Sequence, residues 1–249
     1  MIHDDPLQTA PHTPTDSPTG DALPWKPKVH GRKRGFLTPR EKLWLDETLP
    51  ELLPPVAPTR RELLQALEAD PDSARLVLEV GFGNGQFLTR QAAANPQDRF
   101  IGIEVFQEGM AALIRRLQRE GITNTRIIPD DARLVLQERI PPESLDWVVI
   151  NFPDPWPKKR HHKRRIVQPE MLDLLARRLR SRGLLTLATD WEEYALWMAD
   201  TLENHGAFEN LAAPDRFAPQ PEFWHETRFE LKGVHAGRRI HHLVWRRKD

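Results

Sequence analysis

From about residue 75 onward, short apolar strands alternate with amphipathic helices, and glycine, proline or asparagine punctuates several of the changes. Residues 76–80 (Leu-Val-Leu-Glu-Val) read as a strand, 81–85 as a tight turn, and 86–94 as a helix ended by Asn95-Pro96. Residues 100–104 form a second strand, followed by a helix that runs to Glu120 and stops at Gly121. Further strands are expected at 126–128, 146–150 and 184–188, with a helix over 171–180 that has Pro169 near its start. Asp190 is expected to cap a helix, with Glu193 three residues on, and 239–246 reads as a last strand. Alternation of this kind implies an α/β fold: a mostly parallel sheet with helices on both faces.

The first third of the chain is different. Residues 1–30 are rich in Pro, Thr, Asp and Ser and poor in large apolar side chains, so they read as a disordered tail. After Arg32-Lys33-Arg34 come two helices with T-x-x-E starts: Thr38 with Glu41 (and Pro39 at the first helical position), and Thr59 with Glu62. In each, the hydroxyl caps a free amide and the glutamate reaches back. Thr227 and Glu230 repeat the pattern near the end. The expected organisation is a tail at 1–30 and one domain at 31–249, whose α/β fold carries an N-terminal helical extension.

No apolar run approaches the length of a membrane span, and the start lacks a secretory signal pattern. The chain has no cysteine, which excludes disulfides, thiolate zinc sites and cysteine nucleophiles and agrees with a cytoplasmic location. Formal net charge is zero, so only local charge is informative. Lys158, Lys159, Arg160, Lys163, Arg164 and Arg165 fall in eight consecutive residues together with His161 and His162. Such a run raises a strong local field that suits a polyanion; on its own it is as readily a solvated face.

In open α/β sheets ligands bind beyond the carboxyl ends of the strands. Acids stand at five such ends here: Glu79, Glu104, Asp130-Asp131, Asp154 and Asp190. Acids gathered on one rim are costly unless a cationic or donor-rich ligand meets them. The first turn reads Glu79-Val80-Gly81-Phe82-Gly83-Asn84-Gly85, and its glycines allow positive φ and close backbone approach. A dinucleotide fingerprint would need a third glycine at position 86, which is Gln. The G-x-G-x-G spacing therefore suits S-adenosyl-L-methionine better than NAD. Glu104, nineteen residues past Gly85, fits the acid that takes both ribose hydroxyls, and that role serves either cofactor.

The most specific stretch is N-F-P-D-P-W-P-K-K-R-H-H-K-R-R at 151–165, in which three prolines stiffen the loop around Asp154 and Trp156. With the E-x-G-x-G-x-G turn, Gly102-Ile103-Glu104, A-T-D-W-E-E-Y-A at 188–195 and T-R-F-E at 227–230, the chain resembles the bacterial tRNA (guanine-N7)-methyltransferase family over roughly residues 31–247. That family methylates the guanine at position 46 in the tRNA variable loop, on a Rossmann-like class I S-adenosylmethionine-dependent fold. The resemblance implies that Glu79, Gly81, Gly83, Gly85, Glu104 and Asp131 hold the cofactor. It implies that Asp154 serves cofactor and target base and is the catalytic residue. Lys158, Asp190, Thr227, Arg228, Phe229 and Glu230 would bind substrate, and Arg160, His161, His162, Lys163, Arg164 and Arg165 would face RNA. Two positions depart from the family: Phe106-Gln107 stands where relatives often carry a polar or basic residue, and His242 where many have Asp.

Other readings remain to be weighed. Arg32 to Arg34 and Arg40 suit either RNA contact or a charged linker. The pairs His161-His162 and His241-His242 lack further ligand spacing, and adjacent strand residues point to opposite faces, so no metal is expected. Asp190, and Thr227 with Glu230, have an alternative role as helix caps. Trp191, Trp197, Trp224 and Trp245 read as packing residues, while Trp156 suits stacking on a base. The competing functions are a class I methyltransferase acting on another RNA, a protein or a small molecule, a nicotinamide oxidoreductase, and a noncatalytic RNA- or partner-binding protein on a degenerate fold.

Overall fold

A computed structural model of the chain describes residues 36–225 and 228–249. The expected tail, Arg32 to Arg34 and Thr227 lie outside the described residues. The sheet is built from β1 (Leu76–Val80), β2 (Arg99–Ile103), β3 (Thr125–Ile128), β4 (Leu145–Asn151), β5 (Leu179–Thr189), β6 (Phe208–Asn210) and β7 (His241–Arg247). Their order is β3-β2-β1-β4-β5-β7-β6. The first five strands pair in parallel, and β7 runs antiparallel between β5 and β6. The order reverses between β1 and β4, so the crevice that such sheets offer a ligand opens where these two strands end.

Side chains alternate across β1 to build two cores. Leu76, Leu78 and Val80 join Ile101, Ile103, Val148 and Ile150 on one face, beneath α5 (Ala132–Glu138), α6 (Pro169–Arg178) and α7 (Glu192–His205). Val77 joins Phe100, Trp147 and Val149 on the other face, beneath α3 (Gln86–Ala94) and α4 (Gln107–Glu120). With both faces covered, β1 is buried at every residue, Glu79 included. The N-terminal extension starts with α1 (Pro39–Leu43), where the Thr38 hydroxyl accepts from the Glu41 amide at 3.2 Å and Glu41 accepts from the Thr38 amide at 2.8 Å. Trp44, Leu45, Leu49 and Leu52, which follow α1, pack against the core under α3 and α4. In α2 (Arg60–Ala66) the Thr59 hydroxyl caps the Glu62 amide at 3.3 Å, without the reciprocal half of a capping box.

The structure corrects several expected elements. α6 stops at Arg178, because Leu179 turns extended and pairs with Leu145, so β5 starts five residues before the expected 184. Trp191, not Asp190, occupies the N-cap of α7, and it gives no side-chain bond. α5 and the three-residue β6 went unanticipated: α5 offers only Ala132, Val135 and Leu136 as a buried stripe, less than two turns of pattern. Trp224 and Trp245 are buried as expected, but Trp191 is exposed. No helix among the described residues is long and apolar enough to cross a membrane.

Candidate active site

The turn after β1 is a backbone cradle. Gly81, Gly83 and Gly85 all have positive φ, at 70°, 56° and 71°. A Cβ on Gly81 would meet no protein atom within 4 Å, so its approach side is open to a ligand. Gly85 is closed: a Cβ there would lie 2.6 Å from the Leu113 side chain. Gly85→Ala therefore combines left-handed strain with a core clash, and we expect a loss of about 2 to 4 kcal/mol in stability, read as a lower urea midpoint.

At this rim Glu104 lies within electrostatic reach of Glu79 on one side and Asp154 on the other. Glu79 is fully buried; its Oε1 accepts from Asn151 Nδ2 at 3.2 Å, while Oε2 has no protein partner. Burial first, and then the neighbouring Glu104, pushes its pKa up to about 8 although the Asn151 bond opposes the shift. Glu104 directly follows β2 and accepts from the amides of Gly83 (2.9 Å), Val105 (2.7 Å) and Phe106 (3.1 Å), so it ties the glycine turn to the start of α4. Burial raises its pKa against those three bonds, and Asp154 adds to the rise. Asp131 accepts from the Arg133 amide at 2.8 Å and caps α5, while Asp130 holds the Asp131 amide at 2.7 Å. The unpartnered Glu79 oxygen and the open Gly81 backbone fit a ligand that brings positive charge and donors.

Asn151 ends β4 beside Glu79, and the chain then makes a strained turn. Phe152 and Trp156 have φ of 47° and 44°, unusual for non-glycine residues, and they bracket the exposed Asp154. The turn is held on one side by the Phe152 amide donating to Ala188 O (2.8 Å), and on the other by Arg165 Nε donating to Pro155 O (2.9 Å). Trp156 lies under the Arg164 guanidinium, 5.0 Å from its ring centre, with the His161 ring edge-on at 5.9 Å. Lys158 and Arg160 are exposed and Lys163 lies on the same short 3-10 helix (Lys159–Arg164), exposed as well.

Two members of the basic run turn inward, Arg165 wholly and His162 in part. Arg165 is 0% exposed: it pairs with Glu193 and lies on the faces of Tyr194 and Trp197, so the expectation that it faces RNA is corrected. His162 sets its ring edge-on to Trp197 and lies 3.1 Å from Arg165 Nη2, which makes it part of the same packing. Asp190, at the end of β5, accepts from Arg238 Nε at 2.7 Å. Arg228 and Phe229 open α8 (Arg228–His235). Glu230 is buried; its Oε2 accepts from Trp224 Nε1 at 2.9 Å and its Oε1 lies 3.8 Å from His242 Nε2. Burial pushes His242 down to about 4, so it faces Glu230 as a neutral ring. His241 packs instead on Phe217, on the other side of the strand.

Asn151, Arg238 and the Trp224–Glu230–His242 contacts were not anticipated. Asn151 had a usable signal as the residue that joins β4 to the N-F-P-D motif; the others depend on contacts between distant segments. A groove of about 590 Å³ between α6 and α7, lined by Gln168, Asp173, Trp197, Thr201 and His205 among others, contains none of the acids at the strand ends.

Comparison with known proteins agrees with this geometry. A family model described as putative methyltransferase matches residues 73–243. A tRNA (guanine-N(7)-)-methyltransferase of Magnetococcus marinus is 51% identical over 222 residues, covering 89% of this chain and 88% of the relative. One of Bordetella pertussis is 39% identical over 241 residues, covering 97% and 91%. The solved structure of the 16S rRNA methyltransferase KamB matches 76% of this chain and 94% of its own with a TM-score of 0.53; at 18% identity that likeness concerns the fold alone.

Proposed function

The chain belongs to the tRNA (guanine-N(7)-)-methyltransferase family, and from that premise we propose that it transfers the methyl group of S-adenosyl-L-methionine to N7 of a guanine in tRNA, at position 46 of the variable loop. The observation that carries the reading is the juxtaposition at the strand switch point. Buried Glu79, with one oxygen unpartnered, is hydrogen-bonded to Asn151, the first residue of the loop that presents Asp154. A tRNA substrate also agrees with a cytoplasmic location.

The cofactor supplies an already activated methyl on a sulfonium. Glu79 would receive its cationic amino acid end, the Gly81–Gly83–Gly85 backbone would lie along it, Glu104 would take the ribose hydroxyls, and Asp131 would meet the base edge. N7 of guanine has a free lone pair and loses no proton before attack, so the chain need not provide a strong base. Its task is placement and charge. Asp154 would accept hydrogen bonds from the guanine N1 and N2 groups and favour the positive charge that grows on the base. Trp156, braced by Arg164 and His161, offers a flat face for stacking. Lys158, Asp190, Thr227 and the α8 residues Arg228 and Phe229 would complete the substrate side, with buried Glu230 bonded to Trp224 behind them.

Exposed Arg160 and Lys163 would pair with phosphates, which orient the RNA without reading its sequence. Alanine at either should lower the slope of log Kd against log salt by about 0.7 to 0.9 while leaving turnover at saturating tRNA unchanged. The reading itself is tested with a tRNA transcript that carries 7-deazaguanosine in place of guanosine. We expect methyl transfer to the guanosine transcript and none to the deaza form. Equal transfer to both would move the acceptor away from N7.

A further inference from the structure

Resting on the reading above only for its methyl-transfer readout, we propose that Arg165 is a positioning residue: it clamps the 152–156 turn from behind and so sets the place of Asp154. The family resemblance puts Arg165 among the RNA-facing cations, yet among the cations of that run it is the one with no exposure at all. Its five donors face inward. Nε donates to Pro155 O at 2.9 Å, Nη1 to Glu193 Oε1 at 3.1 Å, and Nη2 to Glu193 Oε2. The guanidinium plane is 4.8 Å from the Tyr194 ring centre and 4.9 Å from that of Trp197.

A buried cation is costly unless it is paired, and pairs of this kind are better at fixing geometry than at adding stability. What this one fixes is specific. Pro155 has no N–H, so its carbonyl is its only polar backbone group, and it adjoins Asp154. The turn holds two non-glycine residues in the left-handed region, a conformation that persists only where surrounding contacts over-determine it. Arg165 supplies that restraint and passes it to Glu193, in the first turn of α7, where a carboxylate is itself favoured. The path runs from the rigid start of α7 through Glu193 and Arg165 to Pro155 and the neighbouring carboxylate. Only a planar fork makes all these contacts at once; an ammonium does not.

The test compares Arg165→Lys and Glu193→Gln with the unaltered protein in two measurements. The first is limited trypsin cleavage after Lys159 and Arg160, without RNA or cofactor. The second is steady-state methyl transfer to tRNA, with cofactor affinity measured beside it. For Arg165→Lys we expect cleavage at these bonds to speed up about tenfold, because the turn opens locally more often. We expect kcat to fall about 100-fold, the cost of a misplaced reacting group, with KM for tRNA and the affinity for cofactor within about threefold. A protein that had only lost stability would lose cofactor affinity too. Glu193→Gln should act in the same direction and more weakly, and the double variant should be no worse than Arg165→Lys.

Unchanged cleavage in Arg165→Lys overturns the clamp. So does a raised KM with unchanged kcat and a salt slope lowered by about 0.7, which would make Arg165 a phosphate ligand. Should the unaltered protein transfer no methyl to tRNA, the functional reading falls, and the cleavage comparison still decides the clamp: faster supports it, unchanged refutes it.

Discussion

Asp154→Ala is expected to lower kcat for tRNA methylation by about 10² to 10³-fold while cofactor affinity falls less than about fivefold. The asymmetry follows from where the residue stands. Asp154 is exposed on the turn after β4, whereas the cradle proposed for the cofactor consists of the glycine backbone and the buried acids Glu79 and Glu104. On the proposed function, removing it deletes the acceptor for the guanine edge and the negative charge that would balance the growing cation, and leaves the Glu104–Gly83 tie intact. Asp154→Asn keeps the shape and loses the charge, so its rate should fall between those of Ala and the natural residue. Steady-state kinetics beside calorimetric binding of the cofactor separate the two quantities. A variant with unchanged turnover would remove Asp154 from the mechanism.

The second large effect is at Glu79, and it has opposite signs for stability and binding. The folded protein holds this carboxyl protonated up to about pH 8, whereas in the unfolded chain it ionises near the ordinary 4.5. Its contribution to stability is therefore fully present below the unfolded value and is lost as pH rises toward and through about 8. Glu79→Gln removes that penalty and keeps an acceptor for Asn151. The ligand-free variant should therefore melt higher than the natural protein at pH 8, by an amount that vanishes near pH 4. Cofactor affinity should fall about 10- to 100-fold in the same variant, because a charged acceptor for the cationic end has gone. The natural protein should also release a proton on binding near neutral pH, seen as a dependence of the calorimetric heat on the buffer's ionisation enthalpy, and the variant should not. A variant that melts lower at pH 8 and binds normally would contradict the account of Glu79.

These expected effects concern residues whose position at the strand ends is legible in the local sequence. The glycine turn, Glu79 and Glu104 stand at or next to strand ends, and those strands are visible as short apolar runs. The stiff N-F-P-D-P-W-P loop is local in the same sense. Arg165 is not local. Its neighbours in sequence are cations, and its direction is set by Glu193, Tyr194 and Trp197 on a helix about thirty residues away, so the motif that groups it with the RNA-facing cations does not show that it points inward. Glu230 misled in a related way: a T-x-x-E start suggests a carboxylate near solvent, whereas Trp224 and His242 draw it inside. Asp190 looked like a cap because it follows a strand and precedes a helix. The backbone takes one more residue to turn, Trp191 becomes the cap, and the Asp190 carboxylate is left to Arg238. α5 escaped because seven residues show too little period to stand out.

The central claim is that this chain methylates N7 of a guanine in the tRNA variable loop. It is tested most directly by incubating the protein with labelled S-adenosyl-L-methionine and bulk tRNA lacking the modification, digesting to nucleosides, and mapping the labelled product by mass. The account predicts 7-methylguanosine at position 46 as the labelled nucleoside. A different labelled nucleoside, or label confined to another region of the tRNA, would contradict it and favour a class I methyltransferase with another RNA target.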